Sequence, residues 1–150
     1  MADLRTRVPP EALSRLRSAY APADMSAANS GALRDIYPPL QSWGEEVSAT
    51  FYDRPGPLTA KDRERCIIAL VTLLGATLPL AIHIYWGLME GLSVEEICHT
   101  IGLSGCYGGL PKASHGLLVV ERTLALLNRV SEAGPNATAV LEALISEFRP

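Results

Sequence analysis

Apolar positions recur at three- and four-residue spacing along the chain from Thr59 onward, which is the pattern of one buried helix face. No stretch alternates apolar and polar residues for long enough to predict a β-strand. Pro111 and Gly134 bound a long predicted helix, and a last helix follows from Ala137. Their apolar faces are Leu117, Val120, Leu124 and Leu127 in the first, and Ala137, Val140, Leu141, Leu144 and Phe148 in the second. The pattern therefore predicts an all-α fold.

The centre of the chain is an unusually apolar run, from Cys66 to Met89, without a carboxylate, lysine or arginine. It is long enough to cross a bilayer. Gly75 and Pro79 interrupt it near its middle, and these residues end and begin helices in soluble proteins. We therefore interpret the run as two buried helices, with a membrane-spanning helix as the alternative.

The second of these helices contains the one imidazole in the run. Residues 80–90 cover most of a helical wheel with apolar side chains and leave one narrow stripe, formed by His83, Gly87 and Glu90. The missing side chain of Gly87 predicts a small pocket beside a buried histidine. The alternative is a core histidine whose ring is satisfied by a backbone carbonyl.

The N-terminal third differs from the rest of the chain, because seven of the eleven prolines precede Thr59. This spacing predicts short helices joined by turns, and the apolar positions place them at Pro10–Tyr20 and Leu40–Tyr52. We expect residues 1–150 to form a single domain, with 1–58 as a proline-rich helical N-terminal extension.

A helix start is predicted at Ser93, because Ser93 and Glu96 have the spacing of a capping box. The helix that follows should bury Val94, Ile97, Cys98 and Ile101.

The composition is that of a globular protein, with 48% hydrophobic and 19% charged residues. The net charge of −3 gives no electrostatic support for nucleic-acid binding. Cys66, Cys98 and Cys106 form neither a CxxC pair nor a metal-binding spacing, and their odd number favours a reducing compartment. Residues 1–7 contain no apolar leader, so we expect a cytoplasmic protein. Because all three cysteines sit in apolar sequence, we expect them to be buried and inert.

His83, His99 and His115 are the three histidines available for chemistry. No two of them are three or four residues apart, so the sequence predicts no metal site on one helix. It also contains no phosphate-binding or dinucleotide-binding loop, and we expect no cofactor. His99 lies opposite the apolar face of its helix, which predicts exposure or a subunit contact. His115 follows Pro111 closely and could reach a pocket at the Tyr107–Pro111 loop.

A set of segments in this order resembles the carboxymuconolactone decarboxylase family, which shares its fold with the alkylhydroperoxidase AhpD-like proteins. The segments are Arg63-Glu64-Arg65, the apolar helix with His83, Gly91-Leu92-Ser93-Val94-Glu95-Glu96-Ile97, and Tyr107-Gly108-Gly109-Leu110-Pro111. The resemblance implies an all-helical AhpD-like subunit with a central buried helix pair. It also implies assembly into a homotrimer or homohexamer. We expect a small-molecule substrate as the partner, and no membrane partner.

The same resemblance implies a catalytic pair, Glu64 and His83, which keep the nineteen-residue spacing of the AhpD-like motif. The two cysteines of that motif fall on Ala76 and Pro79, so a cysteine-peroxidase mechanism is not expected. The decarboxylase branch lacks those cysteines and keeps the histidine. His99 stands where that branch often has Glu, and Leu110 where it often has Trp.

We therefore expect a lyase-type enzyme in which His83 transfers a proton on a small carboxylated lactone or keto acid. His83 and Glu64 are the predicted catalytic residues. The predicted substrate-binding residues are Arg63, Trp86, Tyr107 and His115, and Arg65 is an alternative to Arg63 for neutralising a carboxylate. The open alternatives are an isomerase or cyclase of a small ketide or lactone, and a non-catalytic helical oligomer that binds an apolar ligand or partner.

One geometric difficulty arises from the sequence alone. Glu64 lies about 16 Å of helix from Gly75, whereas His83 lies only about 6 Å from Pro79. In a simple antiparallel hairpin these two residues would not face each other. Either the two helices cross, or a second subunit completes the pair.

Overall fold

The computed structural model describes residues 8–21, 37–54, 56–134 and 136–149, and these residues form seven α-helices and no β-strand. The helices are α1 Pro10–Ala19, α2 Leu40–Ser48, α3 Ala60–Leu74, α4 Thr77–Met89, α5 Val94–Gly108, α6 Leu110–Glu132 and α7 Ala137–Phe148. The predicted all-α fold is confirmed. Residues 1–7, for which no apolar leader was expected, lie outside the described residues, and so do Pro22 and Pro55, two of the prolines at which turns were expected before Thr59.

Helix α4 is the centre of the subunit and contacts α1, α3, α5, α6 and α7. Burial of its residues is nearly all-round, as the apolar wheel predicted. The buried residues are Leu80, Ala81, Ile84, Tyr85, Trp86, Gly87, Leu88 and Met89. A helix that is apolar on every face is stable here because neighbouring helices cover each face.

The apolar run is divided between α3 and α4, as predicted. Helix α3 ends at Leu74, and Gly75 follows with a left-handed φ of 69°, a conformation that glycine adopts without a steric penalty. No helix in the described part of the chain is both long and apolar enough to cross a membrane.

The expectation that α3 is buried like α4 is wrong. Only one face of α3 reaches the core, through Glu64, Ile68 and Thr72 at four-residue spacing. Its opposite face carries Leu70 and Leu74, which are exposed in the subunit. Helix α3 is therefore amphipathic in burial even though its sequence is apolar on both faces.

The expected pocket at Gly87 is also absent, because neighbouring side chains fill the space. A Cβ atom at Gly87 would lie 2.8 Å from Leu92 Cδ1 and 3.3 Å from Ile68 Cδ1. The glycine therefore lets α4 pack closely against α3 and the α4–α5 connection.

Helix α1 is attached to the C-terminal end of α4. The Arg17 guanidinium donates from Nε and Nη2 to the carbonyl oxygen of Leu88, at 3.1 and 2.9 Å. The Tyr20 hydroxyl bonds a carboxylate oxygen of Glu90 at 2.8 Å, and burial raises the pKa of Tyr20. Ala12 and Leu16 are completely buried on the inner face of α1. The first helix of the N-terminal third is therefore part of the core.

Helix α2 is shorter than the predicted Leu40–Tyr52 helix, because its hydrogen bonding changes after Ser48. A π-helical turn, Ala49–Asp53, continues it. Single π-helical turns insert an extra residue and often occur at functional sites. This turn carries Phe51 and Tyr52, both of which matter for the site described below.

The predicted capping box begins α5. The Glu96 amide donates to Ser93 Oγ at 3.0 Å, and the Ser93 amide donates to Glu96 Oε2 at 2.8 Å. Glu96 Oε1 also pairs with Lys61 at 3.1 Å and Arg65 at 3.0 Å, which joins the start of α5 to α3. The Ser93 amide, then Lys61 and Arg65, lower the pKa of Glu96 to about 2.

We expect Glu96→Gln to reduce the free energy of unfolding by about 1 kcal/mol at pH 7, because it removes the charged half of the cap. The pKa of Glu96 in the folded protein lies below the usual glutamate value of 4.5, so the stabilisation is complete above pH 4.5 and is lost as the pH falls towards 2. The difference in melting temperature between wild type and variant should shrink across that range. A difference that stays constant between pH 7 and pH 3 would contradict the assignment.

Candidate active site

Glu64 and His83 meet inside one subunit. Glu64 lies on α3, where its side chain is fully buried, and its Oε2 atom is 2.8 Å from Nδ1 of His83 on α4. Of the two arrangements left open by the sequence, the crossing of the two helices is the one that brings them together. A second subunit is not needed to form this pair.

The contact determines which ring nitrogen of His83 is available for chemistry. When Glu64 is ionised, its carboxylate only accepts hydrogen bonds, so Nδ1 of His83 is the nitrogen that carries the hydrogen in this contact. Nε2 has no hydrogen-bond partner among the residues that the structure describes, and it is not among the buried unpaired atoms there. The His83 side chain is 13% exposed. Nε2 is therefore the nitrogen that a bound molecule can reach.

Arg63 balances the buried charge of Glu64. Its Nε atom is 3.4 Å from Glu64 Oε1, and its Nη1 donates to the carbonyl oxygen of Phe51 at 3.3 Å. The guanidinium carbon also lies 4.5 Å from the centre of the Tyr52 ring, within the range of a cation–π contact. These contacts fix Arg63 between the π-helical turn and the Glu64–His83 pair.

Two aromatic rings complete the surroundings of His83. The Trp86 ring is perpendicular to the imidazole, with ring centres 4.9 Å apart, and the Tyr52 ring follows at 6.5 Å from Trp86. Burial raises the pKa of Tyr52 to about 12, and the negative charge of Glu64 acts in the same direction. The positive charge of Arg63 opposes this increase in pKa. The indole Nε1 of Trp86 is buried without a hydrogen-bond partner in the described part of the chain.

Tyr52 is a site residue that the sequence analysis missed. Its place depends on the π-helical turn, which turns Tyr52 towards Arg63 and Trp86 while Phe51 remains exposed. The only signal in the sequence was an aromatic pair just before the Asp53–Pro57 turn, which does not identify an inward-facing residue.

The structure does not bring Tyr107 or His115 to the Glu64–His83 pair. Tyr107 is 87% exposed near the end of α5, because Thr100 and Ser104 occupy the inner face of that helix. His115 lies on α6, where its Nε2 is 3.1 Å from the hydroxyl oxygen of Thr77 at the start of α4. Substrate binding by either residue stays a prediction.

The side chains of Arg65 and His99, two other polar residues considered in the sequence analysis, form no hydrogen bond or ion pair with the Glu64–His83 pair. Arg65 is engaged by Asp62 and by Glu96, so Arg63 is the arginine that contacts Glu64. His99 is exposed, as expected for its face of the helix. It lies across α5 from the buried residues Ile97 and Ile101.

The expectation that all three cysteines are buried is wrong. Cys66 and Cys106 are exposed in the subunit, and Cys98 is half-buried. Cys66 lies on the outer face of α3, away from the core positions of that helix. Burial raises the pKa of the Cys98 thiol. All three cysteines are free, and none occupies positions 76 or 79 ahead of His83.

Two open depressions adjoin α3. The outer groove, about 490 Å³, lies between α3 and α5, with Cys66, Leu73, His99, Leu103 and Tyr107 among its lining residues. The second, which we call the arginine cleft, has a volume of about 720 Å³ and lies between the π-helical turn and α3. It is lined by Val47, Thr50, Phe51, Tyr52, Arg54, Gly56, Pro57, Leu58, Arg63, Cys66 and Ile67. Arg63 and Tyr52 belong both to this cleft and to the surroundings of His83.

No group of three or more histidine, cysteine, aspartate or glutamate side chains in the described ranges is arranged to hold a metal ion. A carboxylate, an imidazole with one accessible nitrogen and a guanidinium can move a proton and hold an anion.

The sequence profile of the carboxymuconolactone decarboxylase family matches residues 40–122, more than half of the chain. The chain belongs to the carboxymuconolactone decarboxylase family. The matched region runs from α2 into α6 and contains the Glu64–His83 pair and the arginine cleft. No curated protein and no solved structure matched the chain.

Membership of the carboxymuconolactone decarboxylase family confirms the resemblance given by the sequence motifs. The family includes decarboxylases and peroxidase-like members, so an enzymatic role is consistent with membership. The match begins at residue 40, inside the segment 1–58 that we predicted as an extension. The boundary of that extension stays a prediction.

Proposed function

We propose that this protein is an acid–base enzyme of the lactone-decarboxylase type, acting on a small carboxylated lactone or keto acid. One observation carries the proposal. The buried Glu64 carboxylate bonds Nδ1 of His83 at 2.8 Å, which orients the ring and leaves Nε2 accessible. A carboxylate that orients an imidazole and balances its positive charge is a common arrangement for general acid–base catalysis.

The proton transfer can be written with all atoms balanced. The bond between the substrate carbon and its carboxyl group breaks, CO2 leaves, and the electron pair remains on the substrate as an enolate. Protonated His83 delivers the hydrogen on Nε2 to carbon, while Glu64 stabilises the imidazolium before the transfer. The neutral ring keeps its hydrogen on Nδ1 and takes the next proton from solvent.

Arg63 is assigned to an anionic group that stays on the substrate. A tight ionic contact to the departing carboxylate would oppose its conversion to neutral CO2, because the contact is lost in the transition state. Arg63 uses Nε and Nη1 in hydrogen bonds with the protein, and its Nη2 forms no hydrogen bond or ion pair with the described residues. Nη2 can therefore donate to a ligand. Trp86 forms one wall beside the imidazole.

The direct test is an assay of the wild-type protein on 4-carboxymuconolactone, followed by ultraviolet absorbance and CO2 release. We expect turnover with release of one CO2 for each lactone consumed. A correctly folded protein that shows no turnover would exclude this substrate. Isomerisation or cyclisation of a related lactone uses the same His83 chemistry and would be assayed next by proton exchange into substrate from deuterated water.

We also propose that the subunit assembles into a homotrimer or homohexamer, as the family resemblance implies. Helices α3 and α5 pack together and carry a set of exposed apolar side chains on their outer sides. These are Leu70, Leu73, Leu74, Leu103 and Tyr107, with Leu110 just beyond α5. Large exposed apolar patches of this kind mark interaction surfaces.

Light scattering after size-exclusion chromatography tests the assembly. We expect a mass of three or six subunits for wild type and a shift to smaller species for Leu103→Glu, since a charge among these apolar side chains must be desolvated on association. Leu118→Glu changes a leucine of nearly equal exposure outside the outer groove and is the matched control. A monomeric wild type would contradict the proposal.

A further inference from the structure

The arginine cleft has an apolar body. Val47, Phe51, Leu58 and Ile67 are among its lining residues, and the large side chains of Phe51 and Leu58 are more than half exposed to solvent. Binding of a ligand that covers exposed apolar surface in a concave site is favourable, because that surface is removed from water. A volume of about 720 Å³ lies within the range of small-molecule sites.

The charge in this cleft is positive. Arg54 and Arg63 both line it, and among the side chains that the structure describes no aspartate or glutamate lines it. Glu64 offsets the charge of Arg63 from the side of the core. Arg54 is exposed and forms no ion pair or hydrogen bond with the described residues. Among the described residues, the charge of Arg54 beside the apolar walls is therefore not offset by a carboxylate. A guanidinium matches the geometry of a carboxylate ligand.

We propose that the arginine cleft binds the part of the substrate that is not transformed, and that this part is a carboxylate attached to an apolar alkyl or aryl body. Arg54 and Arg63 hold the carboxylate, and the walls formed by Phe51, Leu58 and Ile67 cover the apolar body. The substrate class is thus an amphipathic acid whose reacting end lies at His83.

The cleft and the proton-transfer pair are connected through Arg63. Its guanidinium lines the cleft, its Nε contacts Glu64 at 3.4 Å, and Glu64 contacts His83 at 2.8 Å. Tyr52 likewise lines the cleft and lies beside Trp86. An acid held at Arg63 is therefore two side-chain contacts from the imidazole. The assignment of the reacting end rests on the function proposed above, whereas the ligand class rests on the cleft alone.

The test is a binding measurement that does not require turnover. Isothermal titration calorimetry of the full-length protein would compare octanoate with octanamide, which has the same chain length and no charge. We expect octanoate to bind at least tenfold more tightly than octanamide, and succinate, which has two charges and little apolar surface, to bind at least tenfold more weakly than octanoate.

The variants identify the residues responsible. Arg54→Gln and Arg63→Gln should each weaken octanoate binding by at least tenfold and change octanamide binding by less than threefold. Arg149→Gln removes the same charge from an exposed arginine outside the cleft and is the control. Arg63 also contacts buried Glu64, so Arg63→Gln could fail to fold. If circular dichroism shows that Arg63→Gln is unfolded, the effect of Arg54→Gln alone tests whether the cleft binds the carboxylate.

The outcomes separate this inference from the proposed function. Equal binding of octanoate by wild type and His83→Ala, together with no decarboxylation of any lactone tested, would retain the ligand class and remove the function. Decarboxylation without octanoate binding would retain the function and overturn the ligand class. Equal affinity for octanoate and octanamide, or no effect of Arg54→Gln, would also overturn the inference.

Discussion

Replacement of His83 by alanine is expected to lower kcat for decarboxylation by about 10² to 10⁴, the usual contribution of a positioned general acid or base. Nε2 of His83 is accessible to a bound substrate, whereas Nδ1 forms a 2.8 Å hydrogen bond with Glu64. Without the ring, the enolate must take its proton from water that no side chain positions. Because a small cavity replaces a side chain that is only 13% exposed, some loss of stability is expected, but the helical fold and assembly should remain.

His99→Ala is the matched control for this prediction, since it removes an exposed imidazole on α5 that the structure does not place at Glu64. Its kcat should stay within about twofold of wild type. Glu64→Gln should keep the shape of the site and lower kcat less than His83→Ala, because the ring remains but its charge is no longer balanced. Turnover by His83→Ala equal to that of wild type, with the protein folded, would show that His83 is a structural residue.

Leu16→Ala is expected to reduce the free energy of unfolding by about 2–5 kcal/mol, the range for removing a fully buried leucine. Leu16 has no exposed surface, although it lies in a helix of the proline-rich N-terminal third. Helix α1 contacts both α4 and α6, so the substitution leaves a cavity between the first helix and the centre of the subunit. Urea unfolding measured by circular dichroism, with the slope m unchanged, gives the value.

Leu13→Ala, on the same helix, is the comparison for Leu16→Ala. Leu13 is only partly buried against the core, so its truncation should cost less than half as much. If Leu16→Ala costs less than about 1 kcal/mol, α1 does not contribute to the cooperative core. That result would favour an independent arm over a packed helix.

The sequence predicted the central helix well, because an apolar surface on all sides of residues 80–90 has few stable arrangements other than burial. The capping box of Ser93 and Glu96 was also predicted correctly, since it depends on residues three positions apart. Both features are local, and local spacing determines them. The division between α3 and α4 was predicted for the same reason, through Gly75.

The site was predicted only in part, because its geometry depends on contacts between distant segments. Family resemblance paired Glu64 with His83, whereas helix rise alone argued against their contact. Tyr52 was missed because a π-helical turn orients it. Gly87 was interpreted as a gap, although side chains from Leu92 and Ile68 fill that space. Apolar sequence around Cys66 suggested burial, but apolar residues can equally face outward on a helix that has more apolar surface than the core covers.

Helix α1 is attached to α4 from outside the segment that matches the family. Residues 40–122 contain the proton-transfer pair, but they contain neither the guanidinium of Arg17 that binds the Leu88 carbonyl nor helix α7, which packs against α4. The segment that carries the family signature is therefore smaller than the unit that folds. Its central helix would expose apolar faces to water if it were cut out along the boundaries of the match. The family-matched segment holds the proton-transfer pair, and helices outside that segment cover part of the apolar surface of α4.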